Sequence, residues 1–416
     1  MKKILATLCI ISLCIVNIGC EENSSDTNEI KDNFIDFFIT DENLKDYFKD
    51  DNADDNNSDS INWSKHKYFE GEGTTLTKYI GNDASVFVPD GVTSIDEFAF
   101  DENLSIISVT LPDGLTSIGE GAFRNCNNLI YVNIPSSVTN IETGAFYYCT
   151  SLAEIIIPEG LTSISGGAFR GCETVTEIII PDSVTYIGNF AFANCASLTS
   201  IVIPQGVTTI EEQTFRYCTS LTSVTIPDGV TSIGEYAFSY CSSLEAIIIP
   251  EGVERIEKQA FFKCSSLATV VIPESVTFFG TYVFDQALWF DNLTEEFTIV
   301  GDNILIKYSG NGGDVVIPEG VLTIGCTAFA NSRAITSVTI PESVKSIGDS
   351  AFCYCTSLTT MYVPFGVESI GDSAFFYCSS LISVVLPNSL TDIGEDIFSC
   401  CDELVSVTVK KTSDAE

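Results

Sequence analysis

Every proline in this chain falls on one beat. The thirteen stand at 89, 112, 135, 158, 181, 204, 227, 250 and 273, each 23 residues after the last, and then at 318, 341, 364 and 387, again 23 apart. Eleven residues after each stands a phenylalanine: Phe100, Phe123, Phe146, Phe169, Phe192, Phe215, Phe238, Phe261, Phe284, Phe329, Phe352, Phe375 and Phe398. Self-similarity at such a period marks a stack of short supersecondary units, because one unit of this size cannot bury its own apolar face and relies on its neighbours to do so. The length of 416 residues is then a count of coils rather than of ordinary domains.

One period reads "SLTSVTIPDGVTSIGEYAFSYC", residues 220–241. Val224 and Ile226 lie three and one residues ahead of Pro227, the alternation of a short strand with one face buried. Proline lacks the N–H that a ladder needs, and with Asp228 and Gly229 it makes a turn that ends the strand. Val230, Ile233, Ala237, Phe238, Cys241 and Leu244 follow at spacings that predict a compact helical turn on the return path, with these side chains inward. Copies stacked with parallel strands about 4.8 Å apart share one continuous core. The expected architecture is a repeat solenoid of about 13 coils with one short parallel strand per coil, in which Phe123, Phe146, Phe169, Phe192, Phe215, Phe238 and Phe261 form a structural column.

The same residues resemble the BspA-like class of leucine-rich repeats. They carry its I-P turn at Ile226-Pro227, its V-T-S-I-G step from Val230 to Gly234, its A-F pair at Ala237-Phe238 and its C-x-S-L start of the next strand from Cys241 to Leu244. The resemblance covers about residues 69–409 and implies a right-handed β/α superhelix of leucine-rich-repeat type. It also implies a surface protein of bacteria, or of protists that share mucosal niches, with adhesion to host matrix proteins or to other microbes as the usual setting. Leucine-rich repeats serve many ligands, so the fold does not select one.

The step from Pro273 to Pro318 breaks the metre at 45 residues. It contains "TIVGDNILIKYSGNGGDVVIP", which echoes "FEGEGTTLTKYIGNDASVFVP" at residues 69–89, with Tyr308 and Tyr79 each ten residues before their proline. The expected organisation is an export signal at 1–19, an acidic tether at 20–65, a repeat array at 66–284, an irregular insertion and restart at 285–317, and a second array with the C-terminal end at 318–416. The restart either bends the stack or seats a partner. The signal reading rests on Lys2 and Lys3 followed by an apolar stretch from Ile4 to Ile18, too short for an ordinary membrane-spanning helix. The closing "NIGC" resembles the lipobox of bacterial lipoproteins, with Asn17 where that motif has an aliphatic, and this resemblance makes Cys20 the acylated first residue of a lipid-anchored chain. "EENSSD" after it resembles the acidic tags that carry lipoproteins to the outer face of the outer membrane. Within the tether, Ile30, Phe34, Phe37, Leu44 and Phe48 sit at roughly helical spacing, which predicts a short capping helix starting near Thr40 or Asp41.

Composition excludes some partners. A formal net charge of −38 opposes DNA, RNA and anionic lipid through long-range repulsion, which leaves the lipid anchor as the expected membrane link. Catalysis has little to stand on: the single histidine is His66, and the carboxylates recur on every coil instead of converging once. No cofactor and no metal are expected. Ten cysteines stand fourteen residues after a proline, with no C-x-x-C pair, and are read as small buried side chains; Cys326, Cys353 and Cys400 lie off that column, where a bridge remains open. Asp55, Asn57 and Asp59 are spaced like a calcium loop, but Ser60 replaces its glycine and no Glu closes it. The acidic residues just after proline, Asp90, Asp113, Glu159, Asp182, Asp228, Glu251, Glu274, Glu319 and Glu342, are explained by turn chemistry, although a like-charged column also invites a cation such as calcium or a basic ligand.

The most informative column lies two residues before proline, on the strand face opposite the core: Asn133, Ile156, Ile179, Val202, Thr225, Ile248 and Val271, then Val316, Thr339, Tyr362 and Val385. Tyr131, Glu154, Glu177, Ser200 and Ser223 rim it, four residues before proline. A water-facing row of aliphatics is either β-branched propensity or a binding surface. The second reading makes Tyr131, Ile156, Ile179, Val202, Thr225, Ile248, Val271 and Tyr362 the candidate contact residues for an extracellular protein, along what leucine-rich repeat geometry makes the concave side. Glycan binding would need more exposed aromatics there than Tyr131 and Tyr362. A structural spacer with no specific ligand is the other alternative.

Overall fold

The computed structural model describes residues 60–410. The export signal, Cys20, the capping helix expected near residue 40 and the calcium-like Asp55–Asp59 segment lie outside the described residues. From Trp63 on, the chain winds as a parallel β-solenoid of about 15 turns. The thirteen proline-bearing coils are all present, and a β-hairpin opens each array: Phe69–Glu72 against Thr75–Tyr79, and Phe297–Val300 against Ile304–Tyr308. Both hairpins are antiparallel and carry a bulge at the same place, between Glu70 and Gly71 and between Thr298 and Ile299. The echo seen in the sequence is thus a repeated starting device.

Each coil contributes two strands rather than the single one expected. The first is the pre-proline strand, for example Ser200–Val202, which pairs in parallel with Ser223–Thr225 one period later. Its burial alternates exposed, buried, exposed, so Ile201 enters the core while Val202 faces out. The second is the two-residue Ser-Ile step, as in Ser232–Ile233, paired in parallel with Thr209–Ile210 and with Arg255–Ile256. Two residues are too short for period-2 alternation to show in a sequence, so this row was hidden. Between the rows, the proline carbonyl accepts the N–H of the residue three positions on, as from Val230 to Pro227 at 3.1 Å, and this closes the expected turn.

The return path is not helical; the α-helix among the described residues is the short Leu288–Asp291. In place of helices there is a third ladder made of turns. The N–H groups 9, 11 and 13 residues after proline donate to the next coil: Gln213 to Glu235, Phe215 to Ala237 and Tyr217 to Ser239, each at 2.9 Å. The backbone permits this because the residues 9 and 13 after every proline have positive φ, from Phe98 (54°) and Glu102 (56°) to Asp396 (56°) and Cys400 (61°). Left-handed residues re-aim alternate peptide groups along the stack, where a right-handed helix would have turned them along its own axis. Only Gly121, Gly144, Gly167 and Gly171 occupy these positions as glycine. Two of these glycines also make room for rings, since a Cβ on Gly121 would lie 2.5 Å from Phe98 and one on Gly171 would lie 3.0 Å from Tyr148.

The inward side chains are those the pattern named. In one coil Ile247, Ile249, Val253, Ile256, Ala260, Phe261, Cys264 and Leu267 are all buried. The phenylalanine column is a stack of near-parallel rings, with centroids 5.3 Å apart from Phe215 to Phe238 and again from Phe238 to Phe261. Its ends are finished by other aromatics. Tyr79 packs tilted on Phe100 at 5.4 Å and Tyr308 likewise on Phe329 at 5.0 Å, while Trp289 meets Phe284 edge to face at 5.1 Å and closes the first array.

The cysteines are more than small apolar fillers. Each column thiol donates to the phenylalanine carbonyl of the preceding coil, as from Cys126 to Phe100 at 3.1 Å and from Cys355 to Phe329 at 3.2 Å. The first proline coil of each array has a hairpin tyrosine behind it instead of such a phenylalanine, and there Asn103 and Ser332 stand where cysteine otherwise would. Burial is the main reason that the column thiols are pushed up, to about 12 for Cys126, Cys195, Cys264 and Cys355. All thirteen cysteines of the described residues are free, Cys326, Cys353 and Cys400 included.

At the restart no strand pair among the described residues joins the two arrays. The strand Ile304–Tyr308 is instead buried on both faces: Ile304 and Ile306 pack into the first core, Leu305 and Tyr308 into the second. The Asp302 N–H donates to the Val276 carbonyl at 2.8 Å, and the Lys307 ammonium caps the Phe290 carbonyl over the Phe290 ring. The irregular segment is a packed joint.

Three outcomes are expected. Phe215→Ala, at the middle of the ring column, lowers stability by about 3–5 kcal/mol in urea unfolding, and an unchanged midpoint would rule out a shared core. Ser373→Gly, at a φ of 55°, raises stability by about 1 kcal/mol, because the left-handed backbone strains a residue with a Cβ. The folded thiols hold protons that unfolded ones release above their ordinary value of 9.0, so stability is full below about pH 9 and falls as pH rises toward 12. The double variant Cys195→Ala and Cys264→Ala should lose less over that interval than the parent, as read by urea midpoints at pH 8 and 10.5.

Candidate protein-binding face

The first strand row gives each coil one outward side chain two residues before proline. Its aliphatics are open to solvent: Ile156 is 56% exposed, Ile179 74%, Val202 65%, Ile248 68% and Val271 49%. Parallel register places equivalent positions side by side, with Ile156 beside Ile179, Val202 beside Thr225 and Ile248 beside Val271. Thr225 interrupts the stripe but is itself exposed. The N-terminal end differs, since Thr110 and Asn133 are half-buried and Asn133 turns its amide onto the Leu111 backbone, donating to its carbonyl and accepting its N–H.

Of the eight sequence-derived contact residues, six therefore lie on one continuous stripe of the first array. Tyr131 stands at its border and is half-buried; burial first, and the Glu154 carboxylate second, raise its phenol. Tyr362 belongs to the second array's row, in register with Val385, with the Lys410 ammonium 5.8 Å from its ring centre. The strands of the first stripe pair two by two, Ile156 with Ile179, Val202 with Thr225 and Ile248 with Val271, and no strand pair links them to the second array's row. Along one border the acidic residues after proline are all exposed, from Asp90 to Glu342, as the turn position requires.

The sequence reading missed the aromatic character of the turn side. Tyr217 stacks on Tyr240 at 4.4 Å, and Tyr354 lies 4.9 Å from Tyr377. Cations fill the gaps: the Arg216 guanidinium lies over Tyr217, Tyr236 and Tyr240, Arg170 over Tyr147 and Phe190, and Arg124 over Phe98 while it pairs with Asp101. Ring faces occupied by other rings and by guanidinium groups are not open platforms for a sugar. The signal was in the sequence, as Tyr, Phe, Arg and Lys recurring 9, 12 and 13 residues after proline, but it is visible only once the turn is known to stack those positions.

No group of three or more potential metal ligands occurs among the described residues. No helix of the described residues is long and apolar enough to cross a membrane.

Comparison with known proteins finds one family. A family model described as a BspA type leucine rich repeat region matches residues 78–196, 162–289 and 298–415. Among solved structures, the chain is similar to a leucine-rich repeat protein from Bacteroides ovatus, at 28% identity over 81% of this chain and 89% of that one, with a TM-score of 0.48. It is also similar to a leucine rich cell surface protein from Faecalibacterium prausnitzii, at 29% identity over 81% and 90%, with a TM-score of 0.43. A leucine rich repeat protein of T. pallidum is 30% identical over 43% of this chain and 88% of that one, with a TM-score of 0.41. No curated protein matches the chain.

Proposed function

Since the chain belongs to the BspA-type leucine-rich repeat family, we propose that it is a non-enzymatic binding scaffold, anchored by a lipid on Cys20 and displayed on a cell surface, whose first-array strand face holds an extracellular protein. The observation that carries this reading is the run of five exposed aliphatics, Ile156, Ile179, Val202, Ile248 and Val271, on a face whose opposite side alone supplies the core. A structural spacer has no use for such a row: at a water-facing strand position Thr or Ser would serve stability nearly as well, and contiguous exposed apolar surface marks contact sites. The turn side carries the aromatics, but their faces are already in use, so a glycan platform is the weaker reading.

Adhesion follows from the display. A rigid row of coils presents its contacts at fixed spacing, so a partner engages several of them at once without any coil reorganising, which limits the ordering cost of binding. The test is a panel of matrix proteins offered to the protein and to a variant with Ile156, Ile179, Val202 and Ile248 changed to Ser. These side chains lie outside the core, so the variant should unfold within about 1 kcal/mol per site of the parent. The expected result is at least one matrix protein bound by the parent and lost from the folded variant. Binding that ignores all four substitutions would remove the strand face from the mechanism, and shaving of intact cells with protease, with the protein left whole, would remove surface display.

A further inference from the structure

Charge on the first array is segregated by face. Arg124, Arg170, Arg216, Arg255, Lys258 and Lys263 stand 12, 12, 12, 5, 8 and 13 residues after their prolines, on the turns and the second strand row. From five residues before to two after each proline between 89 and 273 there is no lysine or arginine. The same windows hold the exposed Asp90, Asp113, Glu159, Asp182, Asp228, Glu251 and Glu274 on one border of the apolar stripe, with Glu177 and the half-buried Glu154 on the other. The strand face therefore offers an apolar centre with negative margins and nothing positive. That excludes an acidic partner by uncompensated repulsion and favours one with apolar residues flanked by lysine or arginine.

Spacing selects the partner's secondary structure. The pre-proline strands lie in a parallel stack along which the contact residues recur at about 4.8 Å, while a helix repeats a face every 5.4 Å and an extended strand every ~6.7 Å. A helix running along the stack keeps its turns near successive coils; a strand slips by about three-tenths of its repeat at every step. Main-chain pairing is no alternative within the row, because successive strands already lie edge to edge, outright paired where Ser200–Val202 meets Ser223–Thr225, and leave no room for a further strand between them. The stripe crosses six coils from Ile156 to Val271. Five steps at about 4.8 Å make roughly 24 Å, the length of a helix of about 16 residues.

We propose that the occupant of this face is a cationic amphipathic helix of a partner protein, laid along the stack with its apolar side on Ile156, Ile179, Val202, Ile248 and Val271 and its lysines or arginines over Glu159, Asp182, Asp228 and Glu251. This rests on the reading of the strand face as the binding face and assigns the chemistry of what binds. The apolar contact supplies affinity, and the acidic margins supply orientation and encounter rate, so binding weakens as salt rises.

The probe is a synthetic helical peptide of about 18 residues with leucine on one side and lysine on the other, titrated into the full-length chain. Three comparisons accompany it: the same residues shuffled so that no apolar side forms, the peptide with Glu in place of Lys, and two protein variants. One variant carries Glu159→Gln, Asp182→Asn, Asp228→Asn and Glu251→Gln; the other carries the four changes to Ser described above. The expected result is binding of the amphipathic lysine peptide at least tenfold tighter than the shuffled one, and no binding of the glutamate peptide. Loss of about tenfold in the acid-neutralised variant, and of all binding in the Ser variant, completes it. Equal binding of the shuffled peptide, or full binding to the Ser variant, would reduce the effect to plain charge attraction and overturn the proposal. A matrix protein that is lost from the Ser variant yet indifferent to acid neutralisation would overturn the cationic helix while leaving the strand-face function in place. Matrix proteins that ignore the Ser changes would bring down that function itself.

Discussion

Everything in this molecule depends on the stacking of identical rings. Parallel strands set the rise per coil at about 4.8 Å. Phenylalanine rings that lie almost parallel occupy nearly that rise, with centroids 4.7 Å apart between Phe100 and Phe123 and 5.8 Å apart between Phe169 and Phe192. A column whose members match the rise can be filled without voids by one residue type, and any other type would leave a gap or a clash that both neighbours feel. That is the physical reason for thirteen phenylalanines in phase. The same demand explains the ten column cysteines, each of which donates its thiol to the phenylalanine carbonyl of the preceding coil, as Cys241 does to Phe215 and Cys264 to Phe238.

A stack of equal units needs different ends. The first array begins on Tyr79, behind which Phe69 packs at 5.1 Å and the Trp63 indole covers Gly71, and it finishes on the edge of Trp289. The second array begins with the same hairpin, so the protein is two closed stacks joined through one doubly buried strand, Ile304–Tyr308, rather than one stack with a flaw. The joint explains why the exposed aliphatic stripe stops: no strand pair carries the first row from Val271 across to Val316.

The candidate site was legible to the extent that it follows from alternation. Residue types two before proline, and the knowledge that one and three before it are buried, suffice to place Ile156, Ile179, Val202, Ile248 and Val271 outward. Alternation also places Tyr362 outward, two residues before Pro364, although in the second array, while Tyr131, four before its proline, is half-buried at the border of the row. The segregation of basic residues was equally present in the sequence, but a linear list of arginines has no faces until the turn path is known. The same holds for the aromatic turn side, where Arg216 meets three tyrosines drawn from two successive coils.

What the sequence determined by itself was the period, the strand before each proline, the inward residues, the repeated start and the family, because all of these are carried by identity at a fixed spacing. What only the tertiary structure decided was the path of the return segment. Its spacing of apolar residues fits a helical turn, and a helix is what one coil alone would prefer, since Phe190, Tyr217, Tyr236 and Gln259 are poor candidates for the left-handed region they occupy. The neighbouring coil overrides that preference. A helix would spend its N–H groups within the coil, whereas the left-handed turns aim three of them at the next one, and repeated along every step of the array that gain outweighs the local strain.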